Sequence, residues 1–290
     1  MAGGLVQSSF QSTIKGFSTG NISGSALAGG IVASASASTV YGFSTGSVSG
    51  SSGGGAIGHI IRQSVQAPDG VSYSNQYRVS RSVVFSSSPV TYNNKTKMPT
   101  VRAVNDQRSL GTPYWRGSSA MTVSEFESTW ESATSAVGNY VEVSGYSRGA
   151  ITFASPAAND KIGGLLAKAD NVRIRGYSLS SLPSSNAKCG VNSYNANSYL
   201  FTDSGHNWAY YKSNPKVYCF QSTTGTGDAG NIDLTGTKAQ ASFDTSYFTF
   251  GTNAWEWSWD AVRGRPVINV PTTEFPFNTT EGVAALAVAR

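Results

Sequence analysis

The chain has 290 residues, a formal net charge of +5, and only 13% charged residues, about half the usual share. Its polar surface therefore falls to Ser, Thr, Asn, Gly and Tyr, and its cations are scattered without a Lys/Arg run, which argues against a nucleic-acid partner and leaves a mild attraction to anionic surfaces. No stretch approaches the roughly eighteen apolar residues of a membrane-spanning helix, so membrane insertion is not expected.

Residues 2–26 and 28–52 are one motif written twice, AGGLVQSSFQSTIKGFSTGNISGSA and AGGIVASASASTVYGFSTGSVSGSS. Matched positions differ by 26, and 15 of the 25 pairs are identical. Residues 54–66 begin a decayed third unit, in which Ile31 plus 26 falls on Ile57. Each unit holds three short β-compatible pieces, near 4–6, 12–15 and 20–23, separated by Gly and Ser. Three strands at a fixed period predict a parallel β-solenoid, with coils stacked about 4.8 Å apart. Leu5, Val6, Ile14, Phe17 and Ile22 are expected inside it, under Ile31, Val32, Val40, Phe43 and Val48.

Residues 67–140 interrupt the repeats. Within them 75–85 alternates as a strand. The segment 121–137 predicts the one short helix, with Thr122 or Ser124 at its cap and Phe126, Trp130 and Thr134 along one face. The pattern then returns. Val141–Gly149 (VEVSGYSRG) matches the second half of a unit, and Gly164 to Gly176 keeps the spacing of Gly4 to Gly16. Gly145 to Gly176 spans 31 residues, five more than one unit.

The Gly-Gly-Leu-Val start, the spaced Ile, and the Gly-aromatic-Ser-Thr-Gly-x-Val-Ser-Gly tail resemble the GLUG repeat of large bacterial surface proteins, including filamentous-haemagglutinin-like adhesins. The resemblance covers 2–66 and part of 141–181. Gln7, Ala33 and Ala167 stand where the usual motif has a further Gly, so the chain resembles a divergent member. The resemblance implies a β-solenoid and an extracellular setting, and it implies no catalytic residues. Residues 257–268 (WSWDAVRGRPVI) are similar to the aromatic closing element that follows such arrays, which implies a cap over the solenoid end.

Residues 186–290 are crowded with aromatics. Trp208, Tyr210 and Tyr211 sit in one cluster; Trp255, Trp257 and Trp259 alternate with period two, which as a strand puts three indoles on one face. On a buried face they are core; on an exposed one they are a platform for sugar rings. With Arg263 beside them, these six aromatics are the candidate ligand-binding residues, suited to a sugar bearing an acidic group. Cys189 and Cys219 are the only cysteines; they either form one disulfide or stay as two thiols, depending on the compartment. Asp228, Asp233 and Asp244 lie in a Gly/Thr-rich stretch that is either a Ca²⁺ site or a set of solvated turns. No metal-ligand or phosphate-loop motif is present, and Asp203 with His206 reads as part of a loop.

The expected organisation is solenoid repeats at 1–66, an insertion with a strand and short helix at 67–140, further coils at 141–185, and aromatic-rich loops and a cap at 186–290. The expected class is an all-β, non-catalytic adhesin or receptor-binding protein, extracellular, on a cell surface or on a virion. Its partner would be a cell-surface glycan or outer-membrane protein of a host or neighbouring cell, and no cofactor beyond Ca²⁺ is suggested. Met1 runs straight into a repeat, which fits either a fragment of a larger adhesin or a phage tail-fibre protein. A polysaccharide-degrading tailspike and a structural virion or filament subunit are the alternatives.

Overall fold

The computed structural model describes residues 1–36, 38–61, 63–64, 77–78, 80–92, 101–103, 141–153, 165, 169–170, 172–180, 195–196, 199–201, 208–210, 237, 239–242, 248 and 250–290. Strands dominate, most of them in parallel sheets. The first repeat forms β1 (Ala2–Gly3), β2 (Val6–Phe10) and β3 (Thr13–Ser18), and the second forms β4 (Ile22–Gly29), β5 (Val32–Ser36) and β6 (Thr39–Ser44). The end of the second repeat and the start of the decayed unit supply β7 (Val48–Gly54), and the decayed unit supplies β8 (Ile57–Ile61). The short antiparallel pair β9 (Gln63–Ser64) and β10 (Tyr77–Arg78) precedes β11 (Ser80–Ser86), β12 (Val90–Tyr92) and β13 (Val101–Ala103). Then come β14 (Val141–Ser147), β15 (Ile151–Phe153), β16 (Ala169–Asp170), β17 (Val172–Ser178), β18 (Asn195–Ala196), β19 (Tyr199–Phe201) and β20 (Trp208–Tyr210). The hairpin β21 (Trp257–Asp260) and β22 (Arg265–Ile268) and the helix α1 (Thr280–Ala289) complete the chain.

From β1 to β15 the chain visits three sheets in a fixed order, interrupted by the β9–β10 pair. The first sheet is β1-β4-β7-β12-β15, the second β2-β5-β8-β13, and the third β3-β6-β11-β14-β17-β19-β20. Every pairing in them is parallel except β20 on β19. Repeat copies are direct neighbours: Ile14 pairs with Val40, Gly16 with Gly42, and Ala2 with Ala28. Further along, Arg173 pairs with Tyr199 and Ala169 with Asn195, so the 26-residue offset resumes where the sequence no longer displays it.

Two register details differ from expectation. Ile57 pairs with Val32, and Ala56 rather than Ile57 takes the place above Ile31. The cause is an irregularity between Gly24 and Leu27, where β4 uses one residue more than β7. The strand expected at 75–85 is a full member of the third sheet: Ser82 pairs with Val40 on one side and Val143 on the other. The helix expected at 121–137 lies outside the described residues. The described helix, α1, was not anticipated; Thr279 caps it through its hydroxyl on the Gly282 N–H (3.0 Å), and Gly282, Ala285, Leu286 and Ala289 bury one face.

Side chains alternate across the third sheet. On one face, Ile14, Val40 and Val143 are buried, and Gly16, Gly42 and Gly176 look toward Leu5, Ile31 and Leu165. Ile31 and Leu165 are fully buried, whereas Leu5, between the edge strands β1 and β2, is 45% exposed. Phe17 and Phe43, expected on this face, stand on the opposite one: Tyr41 and Phe43 both meet the C-terminal segment. The first sheet carries its own apolar ladder, Ile22, Val48, Val90 and Ile151, in direct register.

Gly42 marks how closely the parallel strands approach. Its φ is 157°, and a Cβ there would collide with the Gly16 carbonyl oxygen. Gly42→Ala should cost more than about 2 kcal/mol in chemical denaturation, through strain and displaced backbone. Gly20→Ala, where a Cβ meets nothing within 4 Å, should change stability by less than about 0.5 kcal/mol.

Candidate functional site

The outward face of the third sheet carries a continuous column of rings. Phe17, Phe43, Phe85, Tyr146 and Tyr177 occupy one register position on five neighbouring strands. Successive centroids are 5.4, 5.1, 4.8 and 5.1 Å apart, with interplanar angles of 22° or less. Parallel strands in register force this stacking, because identical positions lie one strand spacing apart. Each contact adds about 0.5–1.5 kcal/mol beyond area burial.

The next position on each strand is serine: Ser18, Ser44, Ser86, Ser147 and Ser178, all buried. The Ser44 and Ser86 hydroxyls are 2.8 Å apart, as are those of Ser147 and Ser178. Ser88 and Ser180 donate across to Ser44 and Ser147, both at 3.0 Å. These bonds satisfy hydroxyls that would otherwise be costly to bury.

The C-terminal segment lies along the ring column. Phe277 packs against Phe17 (6.2 Å), Phe43 (6.0 Å) and Trp255 (5.2 Å). Trp257 packs against Tyr146 (6.2 Å), Tyr177 (6.0 Å) and Phe248 (4.8 Å). Its indole N–H donates to Ser144 Oγ (3.0 Å), and the Tyr177 hydroxyl donates to the Pro266 carbonyl (2.5 Å). The segment expected to close the end of the stack thus clasps its side, spanning strands from the first repeat to the fifth. The reason is the ring column itself, an apolar face that must be covered.

The clasp decides where the candidate ligand residues go. Trp257 is only 3% exposed and belongs to the core. Trp255 does not share its strand: it has φ 67°, lies before β21, and covers Tyr41 at 5.3 Å. Trp259 is half-buried with its ring edge-on to Phe250 (6.0 Å). The three indoles therefore do not form one open platform. Arg263 pairs with Asp260 at 2.8 Å across the hairpin turn. Burial raises the Asp260 pKa, but hydrogen bonds from the Arg263 backbone and side chain outweigh it and hold the carboxyl below its ordinary value. Trp208 and Tyr210 lie on β20, paired with Phe201 and Tyr199 at the far edge of the third sheet. Tyr211, Cys189, Cys219, Asp203, His206, Asp228, Asp233 and Asp244 lie outside the described residues. Among the described residues, no group of His, Cys, Asp and Glu is placed to hold a metal ion, and no helix is long and apolar enough to cross a membrane.

Sequence reasoning missed a basic cluster at the Tyr end of the column. Arg148 follows the β14 serine, Arg265 opens β22, and Arg290 donates Nη2 to the Ile268 carbonyl (3.0 Å). The only sequence signal was a tyrosine in place of phenylalanine at 146 and 177, with Arg148 two residues beyond the first. No protein family, curated protein or solved structure matches the chain.

Phe277→Ala should cost about 3–5 kcal/mol, as expected for emptying a buried ring site, and should loosen the clasp before the stacked sheets in hydrogen exchange. Burial pushes the Tyr146 and Tyr177 hydroxyls far up from the ordinary 10.0; the Arg290 charge pulls Tyr146 partly back, while Tyr146 adds to the rise at Tyr177. A raised phenol favours its neutral form, so this stability is complete below pH 10 and lost above it. Alkaline titration should give unfolding and ionisation of these two tyrosines together.

Proposed function

We propose that the chain is a β-solenoid of the GLUG kind, and that it works as a non-catalytic receptor-binding module on an extracellular, cell-surface or virion structure. Two observations support the solenoid: from β1 to β15 the chain passes through three parallel sheets in the same order, and the repeat strands lie beside their counterparts one unit away. The observation that carries the receptor-binding reading is the place where the long insertions leave. Two residues separate Ser36 from Thr39 at the turn from the second sheet to the third, but nineteen separate Ile61 from Arg81 and thirty-eight separate Ala103 from Glu142. Both excursions start and finish at the same corner of successive coils. A stiff frame that presents two neighbouring loops side by side is the arrangement expected of a binding surface.

The ligand class is a surface glycan or an outer-membrane protein of a host or neighbouring cell. The 104–140 excursion, with Trp208, Tyr210 and Tyr211, supplies the contacts. The parent assembly is a larger adhesin or a phage tail fibre.

Replacing 106–138 with a short Gly/Ser turn should reduce attachment of the free protein to target cells or to a glycan array by more than tenfold, with little change in melting temperature. Unchanged attachment would remove the excursion from the binding surface. Release of reducing ends or unsaturated sugars from surface polysaccharide would replace the reading with a depolymerase.

A further inference from the structure

We infer that Tyr146, Arg148 and Arg290 hold an oxyanion beside the outer edge of β22. The inference stands apart from the receptor-binding reading and does not require it. The column places Tyr146 and Tyr177 with rings 5.1 Å apart and nearly parallel, at 2°. The Tyr177 hydroxyl is bonded to the Pro266 carbonyl, and the next carbonyl on that edge, Ile268, is taken by Arg290 Nη2. The Tyr146 hydroxyl and Arg290 Nε are both buried, and neither has a hydrogen-bond partner. Leaving such groups unpaired costs about 1–3 kcal/mol each, more for a charged group.

What would satisfy them is constrained. A guanidinium has only donors, so its missing partner is an acceptor. The two β22 carbonyls nearest this place are occupied. The charges that act most strongly on the Tyr146 hydroxyl are Arg290, Arg148, Arg263 and Arg265, in that order. Arg148 is half-buried beside the like charge of Arg265, which, with burial, lowers its pKa. Among the described residues the one side-chain carboxylate of this cluster is Asp260, and it is committed to Arg263. Arg148, Arg265 and Arg290 are thus an excess of buried or half-buried positive charge around an unpaired phenol. An oxyanion accepts from a guanidinium and a phenol at once and offsets the cost of gathering the arginines. Free sulfate and the carboxylate of an acidic sugar share this chemistry.

The test titrates the intact chain with sodium sulfate, and separately with sodium glucuronate, from low salt. Melting temperature and Trp257 fluorescence are read for the wild type, Tyr146→Phe and Arg148→Met. Phenylalanine is already the column residue at 17, 43 and 85, so the first variant fits the stack. General salt effects are common to all three proteins; a site adds a saturable rise. The expected result is saturable stabilisation of the wild type, absent in Tyr146→Phe, with half-saturation at least tenfold weaker in Arg148→Met. Without added anion, Tyr146→Phe should melt at or above the wild type, because it removes an unpaired hydroxyl. A response to sulfate alone assigns the site to a free ion, and one to glucuronate as well assigns it to an acidic saccharide group. Identical curves for the wild type and Tyr146→Phe would overturn the inference. So would a lower melting temperature for Tyr146→Phe without anion, since the hydroxyl would then already have a partner.

Discussion

The column of rings from Phe17 to Tyr177 is the contact on which the rest of the molecule depends. Parallel strands in register place like residues one above another, so a single aromatic position, repeated, becomes a stripe across five neighbouring strands of the sheet. That stripe makes two demands. It holds the coils at ring-stacking distance, and it leaves an apolar surface on the outside of the frame. The second demand explains why the last forty residues fold where they do. Trp255, Trp257 and Phe277 are spent on covering rings.

The opposite face answers a different constraint. Its serines bring hydroxyls into buried positions, and Ser44, Ser86, Ser147 and Ser178 are tolerated because they pair across adjacent strands. Backbone approach there is close enough that Gly42 and Gly145 cannot carry a Cβ without meeting the carbonyl oxygen of the preceding coil. Apolar, aromatic and hydroxyl stripes thus share one sheet, and each is continuous because the register is.

Much of this was legible in the sequence where the two repeat copies are nearly identical. The 26-residue offset gave the pairing of Ile14 with Val40 directly, and Gly145 with Gly176 could be matched despite a longer spacing. The rest was hidden for physical reasons. Strand β11 has Val84 where its neighbours have glycine, so its membership in the column was masked at the most recognisable position. The one-residue slip at Ile57 comes from a local bulge between Gly24 and Leu27, which a spacing rule does not see. Phe17 was placed on the wrong face because hydrophobicity alone does not say whether an apolar stripe faces inward or is covered from outside. The tryptophans at 255, 257 and 259 looked like one strand face, yet the chain turns at Trp255. The basic cluster joins Arg148 to residues more than a hundred positions away, a juxtaposition that only the clasp creates.

A frame built from copies has an ambiguity of its own. If every rung of the column were phenylalanine, a covering segment would meet nearly the same surface after sliding along it by one coil, about 4.8 Å. The two rungs that carry hydroxyls remove that freedom. Tyr177 reaches the Pro266 carbonyl, and a slide toward the first repeat would set that carbonyl against Tyr146, while a second step would set it against Phe85, which has nothing to donate. The change from phenylalanine to tyrosine along the stack is therefore an index mark: it confines the last forty residues to the hydroxyl-bearing end of the column.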